Sequence, residues 1–138
     1  MTESNAWYKP LLDAVVKEML HRKAVVGAAV EATPVWAFPE KILIAKVWGT
    51  GEKSRFIWTI SGDDVVMDQI PGKMAATPKE VARHFSLKWQ MDADRLRALI
   101  AQKNQLNVPK VYMESYADKL VQCAESLYDL TERDDIWR

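Results

Sequence analysis

The sequence predicts an α+β fold: a single domain with a central antiparallel β-hairpin or small sheet packed by three main helices, in the order α-β-β-α-α. Three observations lead there. Two branched, apolar runs, Ile42–Trp48 and Ser54–Ile60, flank a glycine-bearing turn and read as a hairpin. Thr77-Pro78-Lys79-Glu80 is a helix start, with a capping threonine, a proline at the first helical position and a glutamate three residues after the cap. Apolar residues recur at helical spacing on both sides of the hairpin.

The first element spans Trp7 to Arg22. Trp7, Leu11, Val15 and Met19 are four apart, and Leu12, Val16 and Leu20 widen the stripe. Pro10 fits the first turn, where its missing N–H costs nothing. The next segment, Lys23–Pro39, has no clear period. Gly27 weakens a helical continuation, and Pro34 and Pro39 bracket Val35-Trp36-Ala37-Phe38. Proline forces its predecessor toward extended geometry, so this stretch reads as an irregular or edge segment placing aromatics on the core.

Ile42–Trp48 and Ser54–Ile60 are apolar on both faces, so the hairpin is expected at the buried centre. Gly49-Thr50-Gly51-Glu52-Lys53 forms its loop. Val65-Val66-Met67 reads as a short third strand or a single turn, and Ile70-Pro71-Gly72-Lys73 as a break. The long helix then runs from Pro78 to about Gln102, because Val81, Phe85, Trp89, Leu96, Leu99 and Ile100 fall on one arc at 100° per residue. Asn104–Asn107 ends it, and Pro109 opens a last helix striped by Tyr112, Tyr116, Leu120, Cys123, Ala124 and Leu127. The charged stretch Thr131–Arg138 carries Trp137, a docking anchor or interface residue.

Composition bounds the function. At 138 residues, the chain has the usual length of one domain and buries a sizeable core without a staple. Its 19 basic and 19 acidic residues cancel, which argues against a nucleic-acid partner. A lone cysteine, Cys123, rules out an internal disulfide and a thiolate metal cluster, and its helical context suits a small buried hydrophobe. Met1–Asn5 is polar and acidic rather than signal-like, and no apolar run approaches spanning length, so a cytoplasmic protein without membrane contact is expected. There is no phosphate-binding glycine loop, zinc spacing, nucleophile elbow or dinucleotide fingerprint. No cofactor or metal is expected.

The candidate site lies where the Ser54–Ile60 strand ends in Ser61-Gly62-Asp63-Asp64, with Asp68 nearby and His84 on the following helix. Ser61, Asp63, Asp64 and Asp68 could hold a cation or a partner's basic group, and His84 could meet Asp63 or Asp68. Each has a plainer structural reading. Gly-Asp sequences make turns, and a histidine at the edge of a stripe bonds a carbonyl or carboxylate. Three carboxylates suit a hard metal, but this spacing matches no calcium loop. Asp92, flanked by Lys88 and Arg95 on the apolar arc, reads as a local ion pair or a pocket carboxylate.

Ile44-Ala45-Lys46-Val47-Trp48, Trp58–Asp63, Asp68 with Ile70, and Arg83-His84-Phe85-Ser86-Leu87-Lys88-Trp89-Gln90 resemble the bacterial domain-of-unknown-function family numbered 4826. The resemblance lies within Ile42–Gln90, and its last piece is the most specific. It implies a small bacterial cytosolic protein with an α+β domain and carries no reaction. Ser61, Gly62, Asp63, Asp68, His84, Ser86, Trp89 and Gln90 are its matched positions.

Three functions compete. The favoured one is protein binding without catalysis, as in an immunity-like or adaptor protein that engages a toxin or a basic surface. Six tryptophans leave spare aromatics, with Trp137 and one of Trp7 or Trp36 as interface candidates. The alternative is an enzyme or small-ligand binder using Asp63, Asp68 and His84. A third is a homodimer built on the last helix.

Overall fold

The computed structural model describes residues 7–25, 29–102 and 109–137. Its elements are α1 (Lys9–His21), β1 (Val30–Phe38), β2 (Ile42–Gly49), β3 (Ile57–Ser61), β4 (Asp68–Pro71), α2 (Pro78–Ala101) and α3 (Lys110–Thr131). The fold is α+β, in the order α-β-β-β-β-α-α. The chain groups into two compact units, 1–81 with 135–138, and 82–134.

In the first unit the four strands form an antiparallel meander, β1-β2-β3-β4. The expected hairpin is its centre: every residue of β2 except Lys46 is buried, and Trp58 on β3 is 2% exposed. The Trp58 indole N–H donates to the carbonyls of Gly72 (3.2 Å) and Ala75 (3.0 Å). Pro10 lies in the first turn of α1 as expected, and Val15 and Met19 form a buried cluster with Val47. Ala32, Ile57 and Met67 pack against that cluster, which defines the α1 face of the sheet. Leu20, expected in the α1 stripe, is exposed.

Two strands extend the expected hairpin on either side. β1 is an edge strand, and its prolines do not prevent it. An edge strand needs only half its N–H groups for pairing, and Pro34 sits where the register with β2 shifts. That shift decides a side-chain direction. Ala32 and Pro34 pair with Val47 and Ala45, whereas Trp36 pairs with Ile44. One extra residue therefore turns Trp36 and Phe38 to the face opposite α1. β4 is the other edge and runs through Ile70-Pro71, which had read as a break; Val65–Met67 form no strand. The expected start of β3 is also corrected: Lys53–Arg55 make a turn of 3₁₀-helix, and pairing begins at Ile57.

α2 begins as its sequence demands. The Thr77 hydroxyl accepts from the Glu80 N–H (3.2 Å), and the Glu80 carboxylate accepts from the N–H groups of Thr77 (3.1 Å) and Ala76 (2.9 Å). In the second unit, α2 and α3 run antiparallel: the Ser86 hydroxyl donates to the Ala124 carbonyl (2.9 Å), while Arg97 bonds Asp118 (2.9 Å). Phe85 and Trp89 are buried and stacked at 5.6 Å, and Leu120, Cys123, Ala124 and Leu127 are buried on α3. The stripes are shorter than their periodicity. Leu99 on α2 and Tyr112 and Tyr116 on α3 are exposed. The expected helix end at Asn104–Asn107 and the status of Gly27 lie outside the described residues.

Candidate functional site

The Ser61–Asp64 segment is a turn whose shape is fixed by Gly62. Gly62 has φ +141°, and a Cβ there would run into the Lys41 carbonyl oxygen and lie 2.9 Å from Ile42 Cα. The turn is thus pressed against the start of β2, and the Asp64 N–H reaches the Lys41 carbonyl at 3.4 Å. Asp63 and Asp64 are exposed. The Asp64 carboxylate lies 4.0 Å from Lys41 Nζ.

The facing turn joins β1 to β2. Lys41 N–H donates to the Phe38 carbonyl (3.0 Å), so Phe38–Lys41 is a β-turn with Pro39 and Glu40 at its centre. Glu40 has φ +65°, in the left-handed region where glycine or asparagine is usual. The two turns and the first turn of α1 enclose a groove of about 490 Å³ lined by Trp7, Pro10, Leu11, Glu40, Lys41 and Asp63. Among the described residues, the Glu40 and Asp63 carboxylates have no hydrogen-bond or ion-pair partner.

The other expected site residues are placed differently. Ser61 ends β3 opposite Leu43, and its Oγ is buried without a hydrogen-bond partner among the described residues. Asp68 opens β4 opposite Ile60, and its Oδ1 accepts from the Gln69 N–H (2.8 Å), a local turn-like role. His84 is half-buried on α2 in the second unit, whereas Asp63 and Asp68 belong to the first. Asp92 is a local ion pair, bonded by Lys88 (2.9 Å) and Arg95 (3.1 Å). Among the described residues, no group of three His, Cys, Asp or Glu is placed to hold a metal ion.

Trp137 is half-buried rather than exposed. Its ring stacks on Trp36 at 4.1 Å, and the Trp36 indole N–H donates to the Ile136 carbonyl (2.7 Å). It docks within the first unit, on the face to which the β1 bulge turns Trp36. Of the two other interface candidates, Trp36 is buried and Trp7 is half-buried in the groove wall.

A family model described as a domain of unknown function (DUF4826) matches residues 2–137. The chain belongs to this family. The match covers nearly all of the sequence, well beyond the Ile42–Gln90 stretch that carried the resemblance, and so includes the groove as well as the Arg83–Gln90 motif. Among curated proteins and among solved structures nothing matches. Among the described residues, no helix is long and apolar enough to cross a membrane.

Of the groove residues, Asp63 was read from the sequence as a site candidate and Trp7 as an interface candidate, whereas Pro10 and Leu11 were read only as helix residues and Glu40 and Lys41 were not singled out. The lining as a whole comes from three segments, around positions 7–11, 40–41 and 63, which only folding brings together. Pro39 was read as the end of an irregular or edge segment, and glutamate at the next position gives no hint of a left-handed backbone.

Proposed function

We propose that this DUF4826 member acts by binding a protein partner without turnover. The observation that supports this most is on α3. Val111, Tyr112 and Tyr116 are 62%, 66% and 49% exposed. Tyr112 and Tyr116 continue, at four-residue spacing, the same stripe that is buried at Leu120 and Leu127. A stripe that runs off its core into solvent presents adjacent aromatic surface, and tyrosine is enriched in the centres of protein interfaces. These tyrosines replace Trp137 as the proposed anchor, because one face of Trp137 is already stacked on Trp36. The concrete form of the reading is an immunity-like or adaptor role in the bacterial cytosol, toward a toxin or another partner with a basic surface.

The test is capture of a partner by the immobilised protein, compared with Tyr112→Ala/Tyr116→Ala. The double variant is expected to keep its melting temperature and to lose more than 1 kcal/mol of binding, the threshold of an interface residue that matters. Sedimentation of the free protein separates a second copy from a different partner. Undiminished capture by the double variant would refute the assignment of the surface. Turnover of a small molecule that is abolished by His84→Ala would refute the function.

A further inference from the structure

We infer that the groove between the two turns and the start of α1 is a binding site for an organic cation carried on an apolar stem, a guanidinium or an ammonium group. The argument begins with charge. Glu40, Lys41 and Asp63 line the groove, and Lys41 is drawn toward Asp64, at 4.0 Å. Lys41 lines the groove too, but Asp64 at ion-pair distance offsets part of its charge. Glu40 and Asp63 line the groove, and their carboxylates have no partner among the described residues. A ligand that enters is met by two carboxylates and one partly paired lysine, an excess of negative charge.

The second strand of the argument is shape. The rest of the lining is Trp7, Pro10 and Leu11, an indole and two aliphatic surfaces. A bare metal ion gains nothing from such a wall, whereas an alkyl stem is buried by it and a cationic head is attracted by an indole face. The volume, about 490 Å³, lies in the range of small-molecule sites and exceeds a single basic side chain. The third strand is backbone conformation. Glu40 is held at φ +65° in a turn position that glycine would occupy without cost, and Gly62 is held where no side chain fits. The Gly62 turn abuts the Lys41 carbonyl, which ends the Glu40 turn, so the two turns are held against each other with their acids on one groove. Strained backbone retained around a cavity is a feature of ligand clamps.

Guanidinium is the better match of the two heads. Its planar fork can bond carboxylates from two different turns while stacking on an indole, which a compact ammonium cannot do. The same chemistry is offered by a free alkylguanidine and by an arginine side chain in a polypeptide, and these are separated experimentally.

The test uses the full chain, ¹⁵N-labelled, with the Trp7 indole resonance assigned through Trp7→Phe. The probes are agmatine, a blocked Gly-Arg-Gly tripeptide, and the same tripeptide with neutral citrulline in place of arginine. The cations are expected to shift the Trp7 indole and the amides of Glu40 and Asp63, and citrulline to bind at least about tenfold more weakly. Glu40→Gln and Asp63→Asn, both on exposed turns, are each expected to weaken the cation about fivefold with an unchanged melting temperature. Tighter binding of the tripeptide than of agmatine marks a polypeptide ligand; equal or tighter binding of agmatine marks a free small cation. The inference is overturned if neither cation shifts Trp7, if citrulline binds as well as arginine, or if both neutralising variants leave the affinity unchanged. These outcomes are independent of the α3 tyrosines.

Discussion

Replacing Trp58 tests the central packing of the first unit in two separable steps. Trp58→Phe keeps an aromatic ring but removes the N–H that donates to the carbonyls of Gly72 and Ala75. Those two carbonyls lose a shared donor, which costs about 1–2 kcal/mol if water cannot replace it. Trp58→Ala also removes the ring, which is 2% exposed and packs edge-on against Phe56 at 5.5 Å. Lys46 Nζ, 5.0 Å above the same ring, loses its cation–π contact. Large-to-small changes of buried aromatics cost about 3–5 kcal/mol, so alanine should exceed phenylalanine by at least ~2 kcal/mol. For a chain of 138 residues the unfolding entropy is about 0.3 kcal/mol/K, so Trp58→Ala should lower Tm by roughly 10–15 °C. Urea denaturation followed by far-UV circular dichroism measures the free-energy change, and calorimetry measures Tm. Equal losses for phenylalanine and alanine would show that the hydrogen bonds, not the ring, dominate. A loss below 1 kcal/mol for alanine would refute the reading of β3 as the buried centre.

Thr77→Ala should destabilise by about 0.5–2 kcal/mol, and a double-mutant cycle with Glu80→Ala should show coupling, since each side chain bonds the other's backbone. Gly62→Ala should cost more than 2 kcal/mol in chemical denaturation, roughly the strain of a left-handed backbone plus displacement of the Lys41 peptide. Trp137→Ala should cost about 0.5–1.5 kcal/mol through loss of the stack and red-shift the fluorescence of Trp36 as it meets water. The Glu18 carboxyl should titrate below the usual glutamate range by NMR, because the Arg22 guanidinium donates to it at 2.7 Å. Its small contribution to stability should thus be present above the ordinary glutamate pKa and fade as pH falls through the lowered value, and Arg22→Gln should return the pKa to normal.

Local chemistry was the legible part of the fold. The start of α2 could be read because its signal, Thr77 to Glu80, is complete within four residues. The centre of the sheet could be read because residues apolar on both faces leave β2 no solvent side. β1 and β4 were obscured by Pro34 and Pro71, which break a central strand but are tolerated at an edge, and edge status depends on the other strands. Trp36 and Ala32 share sequence parity, and only the register shift reveals that they face opposite ways. The stripe on α3 was visible in the sequence, but periodicity cannot say which turns are covered. Asp63 was legible as a turn acid, whereas Trp7 and Glu40 join it only through the meeting of distant segments.

The meander has a consequence for how the molecule assembles. Every strand pairs with its neighbour in sequence, so the sheet closes by successive short loops, each with a small entropic cost. During synthesis the sheet is complete once Pro71 has emerged, before any of α2 or α3 exists. The bond from Trp36 to the Ile136 carbonyl, spanning 100 positions, belongs to the opposite regime. The indole of Trp36 therefore waits without its Ile136 acceptor and its Trp137 stack until nearly the whole chain has been made, and a refolding experiment monitored by Trp36 should lag one monitored by the strands.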